Sequence, residues 1–332
     1  MEKSKGLPFI SVVVPIFNEE QVLPKFISTM SGVLNALNEE WEILFVADPC
    51  FDRTLDICRE ANKANPRFKL LALSRRFGQP AATMAGLAYS RGKVVVVIDC
   101  DLQDPPALIP DMIALWREGN KVVIPQRRTR AGEHPLKKLI AYSGYWFINK
   151  IANVKIPRNT GDFRLMDRRV VDELVNLNES HGFLRGLVAV VGFKTHLLPF
   201  DRVARDAGEG KYNRITGSLR IGFNGIVAFS DYLLSLTSMA GFCISAFAVL
   251  AIIVIMAVKL GDMYGVIHWK FESGIPSLMI LILFMGGLQM MSMGVLGAYI
   301  GRIYDEAKRR PKFIVEESIG LEGEFRRRRQ GD

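Results

Sequence analysis

The sequence predicts an α/β domain on a mostly parallel sheet, followed by interfacial amphipathic helices and a C-terminal two-helix transmembrane hairpin. Three observations carry this. Short β-branched apolar runs alternate with helical patterns from Phe9 to Ile98, the mark of βαβ units. Two long runs, 233–258 and 275–301, hold no charged residue. Net positive charge collects on the outer flanks of those two runs and not between them.

The elements follow in order. Phe9 to Ile16 reads as a buried strand that ends in the turn Pro15-Ile16-Phe17-Asn18-Glu19-Glu20, since a short continuous apolar run bounded by turn residues fits a parallel-sheet core. Val22 to Leu37 has helical spacing. Trp41 to Ala47 is a second strand with the exit loop Asp48-Pro49-Cys50-Phe51-Asp52, and Thr54 to Ala64 a helix of mixed charge. Phe68 to Leu73 is a third strand, Ala81 to Ser90 a helix of small residues, and Lys93 to Ile98 the most apolar strand. Ligands of such sheets sit at the carboxyl ends of the strands. The loops 15–20, 47–54, 74–80 and 99–106 are therefore the ones to inspect. Later come a strand from Val122 to Pro125, a basic aromatic stretch at 137–150 with Tyr142, Tyr145, Trp146 and Phe147, and an amphipathic stretch at 216–230. Both stretches fit helices lying in a membrane interface.

Composition narrows the function classes. Lys and Arg number 43 against 34 Asp and Glu, a formal charge of +9, which favours anionic partners such as phosphates or an anionic membrane surface. The mean hydropathy of +0.16 is high for a wholly soluble chain, and the excess lies near the C-terminus. Cys50, Cys58, Cys100 and Cys243 form no CxxC pair, which speaks against a disulfide framework or a zinc site. His134, His181, His196 and His268 show no ligand spacing. Glu2, Lys3 and Lys5 lead straight into a strand with no signal-peptide pattern, so the N-terminal domain is expected in the cytoplasm.

The two uncharged runs, about 26 and about 27 residues, each suffice to cross a bilayer core. Arg202, Arg205, Lys211, Arg214 and Arg220 precede the first; Arg302, Lys308, Arg309, Arg310 and Lys312 follow the second. In the connecting loop Lys259 and Lys270 are cancelled by Asp262 and Glu272. The positive-inside rule then puts both termini in the cytoplasm of a two-span protein. Gly286, Gly287, Gly294 and Gly297 would let the helices approach closely.

The sharpest chemical signal is Asp99-Cys100-Asp101-Leu102-Gln103-Asp104-Pro105-Pro106. Two aspartates, two residues apart, leave a buried apolar strand, where unpaired charges cost several kcal/mol. A divalent cation resolves that cost, and oxygen ligands suit Mg²⁺ or Mn²⁺ bridging to a diphosphate. Helix capping is the competing explanation for such acids before Pro105-Pro106.

Several separated blocks then resemble one family in the right order. Val13-Val14-Pro15-Ile16-Phe17-Asn18-Glu19-Glu20 is similar to the opening motif of GT-A glycosyltransferases of the dolichol-phosphate mannose synthase type. Arg75-Arg76-Phe77-Gly78-Gln79 with Ala85-Gly86-Leu87, Asp99 to Pro106, and Ala207-Gly208-Glu209-Gly210-Lys211-Tyr212 resemble further blocks. Gly301-Arg302-Ile303-Tyr304 and Arg310-Pro311-Lys312-Phe313 resemble the end of bacterial polyprenyl-phosphate glycosyltransferases, nearest the bactoprenol glucosyltransferase branch. The likeness runs to about residue 315. The departures are Ala47, Pro49 and Cys50 in the nucleotide loop, where the family has an acid, Gly and Ser; Gly210 for Ser; and Ala298 where relatives often have Glu.

The resemblance implies a GT-A-like, Rossmann-type catalytic domain that moves a hexose, glucose from UDP-glucose first, onto undecaprenyl or another polyprenyl phosphate. A single displacement would invert the anomeric centre. It implies that Pro15, Asn18, Glu19 and Arg75 line the nucleotide pocket, with Asp48 accepting from the uracil imide. Asp99 and Asp101 would address donor phosphates and Mg²⁺ or Mn²⁺, with Gln103 a further ligand, while Asp104 could instead cap a helix. Arg127 and Arg130 would clamp the acceptor phosphate, as guanidinium groups do. Arg205 and Lys211 would meet the donor diphosphate on a closing loop or attract headgroups. Asp162, in Gly161-Asp162-Phe163-Arg164, would contact the sugar or act as general base. A phosphomonoester with a second pKa near ~6 is already mostly dianionic at pH 7, so positioning and charge neutralisation can replace a base.

The expected partition is a nucleotide-sugar part at 1–130, an acceptor-side part at 131–231, the hairpin at 232–301 and a basic cytoplasmic tail at 302–332. Partners are a UDP-sugar, a polyprenyl phosphate and the lipid bilayer; a homo-oligomer is left open and nucleic acid is not expected. The expected location is a bacterial-type inner membrane. Rival readings are another donor sugar (aminoarabinose, mannose or N-acetylglucosamine), a processive polysaccharide synthase, whose QxxRW motif is missing, and a degenerate glycosyltransferase kept as a binding protein.

Overall fold

The computed structural model describes residues 7–128, 157, 159–177, 184–201, 232–264 and 274–321. They fall into two compact units, one within 1–225 and 309–332, the other within 226–308.

The first unit is an α/β domain. Its elements are β1 (Ile10–Ile16), α1 (Leu23–Asn35), β2 (Trp41–Ala47), α2 (Thr54–Ala64), β3 (Phe68–Leu73), α3 (Gln79–Tyr89), β4 (Val94–Val97), a 3-10 turn (Pro106–Leu108), α4 (Ile109–Arg117), β5 (Val122–Arg127), β6 (Arg164–Asp167), α5 (Arg168–Asn176), α6 (Leu184–Val191), β7 (Thr195–Phe200) and β8 (Val315–Ile319). Among the described residues the strands form one sheet in the order β7-β5-β6-β4-β1-β2-β3-β8. β1 pairs in parallel with β2 and β4, as does β2 with β3 and β5 with β7. β6 runs antiparallel between β4 and β5.

The predicted strands form because their side chains are apolar on both faces. Every residue of β1 and β2 is buried. Ile10, Val12, Val14 and Ile16 enter one core cluster with Phe26, Met30 and Met112, from α1 and α4. Val13 enters the opposite cluster with Leu87, Val171 and Leu187, from α3, α5 and α6. Period-two alternation thus feeds two cores, as a doubly covered sheet requires. The chain leaves β3, returns past β1 and adds β4 on its far side. That reversal between β1 and β4 is a topological switch point, where a crevice opens at the carboxyl ends of the strands.

Helix α3 begins at Gln79, two residues before the expected Ala81. Gly78 enters it at φ +89°, a conformation open mainly to glycine, and Pro80 occupies the first turn, where it loses no hydrogen bond. Within α3, Gly86 lies so close to β1 that a Cβ there would sit 2.2 Å from Val13 Cγ1. β5 continues past Pro125 to Arg127. Its pairing to β6 ends at Val123, so the missing Pro125 N–H interrupts no ladder on that side.

The segment 302–332, expected as a tail, is corrected in part: Val315–Ile319 is a strand of the sheet, antiparallel to β3. Arg59 bonds Glu317 at 2.8 Å, Lys312 Nζ donates to the Leu177 carbonyl, and Phe313 packs edge-on to Tyr89. These partners are distant in sequence, so no local pattern marked them.

The second unit holds two helices, α7 (Tyr232–Met263) of 32 residues and α8 (Ile275–Ala307) of 33 residues. At a rise of about 1.5 Å per residue each is about 50 Å long. Counted over the described residues alone, no helix is long and apolar enough to cross a membrane. Large apolar side chains stand exposed along both, among them Phe242, Phe247, Phe284 and Met291. Arg130, Arg205, Lys211 and the stretches 137–150 and 216–230 lie outside the described residues.

Candidate active site

The loops after β1, β2, β3 and β4 converge at the switch point. Asn18 adopts φ 53°, a left-handed conformation that Asn tolerates better than most residues. Its Oδ1 accepts from Phe51 N at 2.9 Å, and its own N–H points to Cys50 Sγ at 3.4 Å. Glu19 N donates to Thr54 Oγ1, and Glu20 N to Asp52 Oδ2. The first and second loops are therefore sewn together. Cys50, which replaces the serine expected there, donates from Sγ to the Asp48 carbonyl at 3.1 Å. The thiol fills the donor-and-acceptor role of a hydroxyl.

Asp48 is buried, and its carboxylate accepts from Phe77 N at 3.0 Å and from Gly78 N at 2.8 Å. This bracket across β2 and β3 engages both oxygens of a side chain expected to face the nucleobase. Arg75 lies exposed, its guanidinium 3.9 Å from the Phe77 ring centre, and Arg76 stacks on Phe17 at 4.3 Å. Cation–ring contacts of this kind hold both arginines at the mouth of the nucleotide loops. Pro15 is interior to β1, paired with Val46.

Beyond β4 the chain turns sharply. Leu102 adopts φ 55°, a costly conformation for a bulky residue that is typical of functional loops. Asp101 Oδ1 accepts from Gln103 N at 3.1 Å and closes the turn. Gln79 Nε2 donates to Asp99 Oδ1 at 2.7 Å. Burial, and then the neighbouring Asp162, Asp101 and Asp104, push the Asp99 carboxyl up to about 7. Neither the 3-10 turn nor α4 has a side-chain cap, so capping does not account for these acids.

β5 and β6 bring the opposite wall. Arg127 NH2 stands 3.6 Å from Asp104 Oδ1, so it meets a carboxylate at the site's edge. Gly161 lies against this pair; a Cβ there would be 3.3 Å from Asp104 Oδ2 and 3.4 Å from Arg127 NH2. Asp162 Oδ1 accepts from Arg185 Nε at 2.8 Å and lies 3.9 Å from Arg164 NH2. Burial raises the Asp162 carboxyl, but Arg185, Arg164 and the bond from Arg185 outweigh it and hold the group below the ordinary carboxylate range. Arg164 is fully buried and donates to the carbonyls of Gly161, Asp162 and Leu184; burial pulls it down to about 10, against the charge of Asp162.

The structure thus gathers Asp99, Asp101, Asp104, Asp162 and Arg127 at one end of the sheet, with Asn18, Glu19 and Asp48 in the adjoining loops. Gln79, Arg164 and Arg185 were not singled out from sequence. Arg185 did leave a trace, as a lone charge opening the apolar run Leu184–Val191. Asp99 and Asp101 offer hard oxygen donors amid excess negative charge, which fits a divalent cation. Among the described residues no group of three or more His, Cys, Asp or Glu side chains could hold a metal ion; substrate phosphates or water would add to the two aspartates.

Comparison with known proteins agrees with this arrangement. The family described as Glycosyl transferase family 2 matches residues 11–175. The chain is 42% identical over 312 residues to the uncharacterized glycosyltransferase YkcC of Bacillus subtilis, covering 94% of each. It is 39% identical to an uncharacterized glycosyltransferase of Synechocystis sp., covering 94% of this chain and 96% of the relative. It is 37% identical to a prophage bactoprenol glucosyl transferase homolog of Escherichia coli, covering 92% of this chain and 98% of the relative. A sheet with its switch point beside the Asp99–Asp101 turn, together with likeness along nearly the whole chain, makes this protein a member of glycosyltransferase family 2.

Proposed function

We propose that the protein transfers glucose from UDP-glucose to undecaprenyl phosphate, with inversion, at the cytoplasmic face of a bacterial inner membrane. The observation that carries this is the meeting of the Asp99–Asp101 turn with the Asp162–Arg185 and Asp104–Arg127 pairs, beside two interlocked nucleotide loops. It is supported by 37% identity over most of the chain to proteins named bactoprenol glucosyl transferase.

In this reading the loops of Asn18, Glu19 and Asp48 receive the nucleoside, and Arg75 lies at their mouth. Asp99 and Asp101 would hold Mg²⁺ or Mn²⁺, with Gln103 beside them; the ion would neutralise charge on the leaving diphosphate. Gln79 keeps the Asp99 carboxylate turned toward the loop of Gly78. Arg127, with Arg130, would receive the acceptor phosphate, and Arg205 and Lys211 the donor diphosphate. The acceptor dianion needs no strong base at neutral pH. Asp162 then serves as a fixed hydrogen-bond acceptor to the sugar or as the acceptor of a residual proton. Of the three altered residues of the nucleotide loop, Cys50 keeps a hydrogen-bonding side chain there, which accepts from Asn18 N and donates to the Asp48 carbonyl.

The uncharged runs 233–258 and 275–301 of the sequence and the exposed apolar side chains of α7 and α8 support a hairpin embedded in the bilayer. A polyprenyl phosphate cannot leave the bilayer, so an enzyme that uses it must work at the headgroup plane. The test is a transfer assay on purified protein in detergent. UDP-glucose, UDP-galactose, UDP-N-acetylglucosamine and GDP-mannose are each offered with undecaprenyl phosphate, with and without EDTA. EDTA-sensitive glucosyl lipid is expected; a different preferred donor corrects the sugar, and no lipid-linked product from any donor overturns the proposal. Carbonate washing of membranes tests the hairpin, since release of the protein into the wash contradicts it.

A further inference from the structure

Asp162 lies between two guanidinium groups. Its carboxylate takes a bond from Arg185 Nε at 2.8 Å, and Arg164 NH2 stands 3.9 Å from the same oxygen, Oδ1. Arg164 is the largest fully buried side chain among the described residues, and its donors are spread over the carbonyls of Gly161, Asp162 and Leu184. It bolts the backbone before Asp162 to the residue before Arg185. The two residues that form this half-buried pair are thus each anchored by one buried guanidinium.

Arg185 differs from Arg164. It opens α6, a helix whose Leu184, Leu187 and Val188 are core residues, and it is partly exposed on the site side. Its charge is also felt at Asp99. An arginine in that place is not needed to bury the helix. It serves the carboxylate.

We propose that Arg185 is a positioning residue: with Arg164 it fixes Asp162 by Oδ1, so that Oδ2 is presented to substrate beside Asp99. This rests on the reading of Asp162 as the residue that meets the sugar or takes a proton. A carboxylate held from one side by a guanidinium cannot rotate about its last bond without breaking a charge-assisted bond. Misplacing such a group by about 1 Å costs on the order of 100-fold in rate.

The test uses the full chain in detergent, with the donor selected in the four-donor assay and undecaprenyl phosphate. R185A, R185K, D162N and the D162N/R185A double variant are compared, each checked by thermal unfolding. We expect R185A to lower kcat by roughly 10- to 100-fold, with donor KM within about threefold. R185K should recover part of the loss, since it restores the charge. In the D162N background, R185A should cost less than about twofold more, because residues acting as one unit are not additive. Multiplying losses overturn the proposal, as does a loss confined to acceptor KM, which would make Arg185 a direct phosphate ligand. An R185A loss matched by unfolding, with R185K equally impaired, reduces Arg185 to a structural residue. D162N with full activity fails the underlying reading instead, a result separable from the others.

Discussion

Replacing Asp48 by Asn tests whether the nucleotide loop is bracketed or reads the base directly. Asp48 is 4% exposed and accepts from two backbone amides, Phe77 N and Gly78 N. Asn keeps one oxygen acceptor and turns an NH₂ toward the other amide. One charge-assisted bond of about 1.5–3 kcal/mol is lost, and a buried N–H left unmatched costs about 1–3 kcal/mol. The 74–79 segment is exposed at 74–76 and 79 and can shift to relieve part of this, which places the net cost near 2–3 kcal/mol. For a domain of this size that is a fall in Tm of roughly 5–10 °C. The displaced Gly78 would carry Gln79 away from Asp99, so affinity for UDP should fall as well. Thermal unfolding by near-UV circular dichroism and titration calorimetry with UDP measure the two effects. A variant with native Tm that has lost UDP binding would refute the bracket and return Asp48 to a base contact. A variant unchanged in both would refute each role.

Other outcomes follow from the same geometry. Gly86→Ala drives a Cβ to within 2.2 Å of Val13 Cγ1 and 3.0 Å of Val46 Cγ2; it should destabilise by about 1–3 kcal/mol, and adding Val13→Ala should return part of that in urea unfolding. Asp101→Ala should abolish transfer while leaving Tm within a few degrees, and full activity in that variant would sink the metal assignment. Burial, and then the neighbouring aspartates, push the Asp99 carboxyl of the folded protein up to about 7 from the ordinary 3.8. The sign follows: the native state holds the proton more tightly, so stability from this group falls as pH rises from about 4 to about 7. Mn²⁺ binding in the presence of UDP should therefore release a proton at pH 6 and almost none at pH 8. Calorimetry in buffers of different ionisation enthalpy reads this directly, and equal proton release at both values would contradict it.

The sequence by itself determined the parts whose cause is local. Val94–Val97 and Ile10–Ile16 are strands because unbroken β-branched runs suit a sheet covered on both faces. Asp99 and Asp101 were legible because two acids at the end of such a strand need a partner. The uncharged runs were legible because apolar length is read without knowing the fold. Tertiary structure alone decided which side chains meet. Asp48 reaches Gly78 across 30 positions, Gln79 reaches Asp99 across 20, and Arg185 reaches Asp162 across 23. Each pairing depends on the strand order β6-β4-β1-β2-β3, which hydrophobic period does not encode. The same holds for Val315–Ile319, whose exposed, acidic, alternating pattern reads as a tail until β3 supplies the edge it completes. Periodicity reports the environment of one residue, whereas a site is a relation between residues that the crossovers of the sheet bring together.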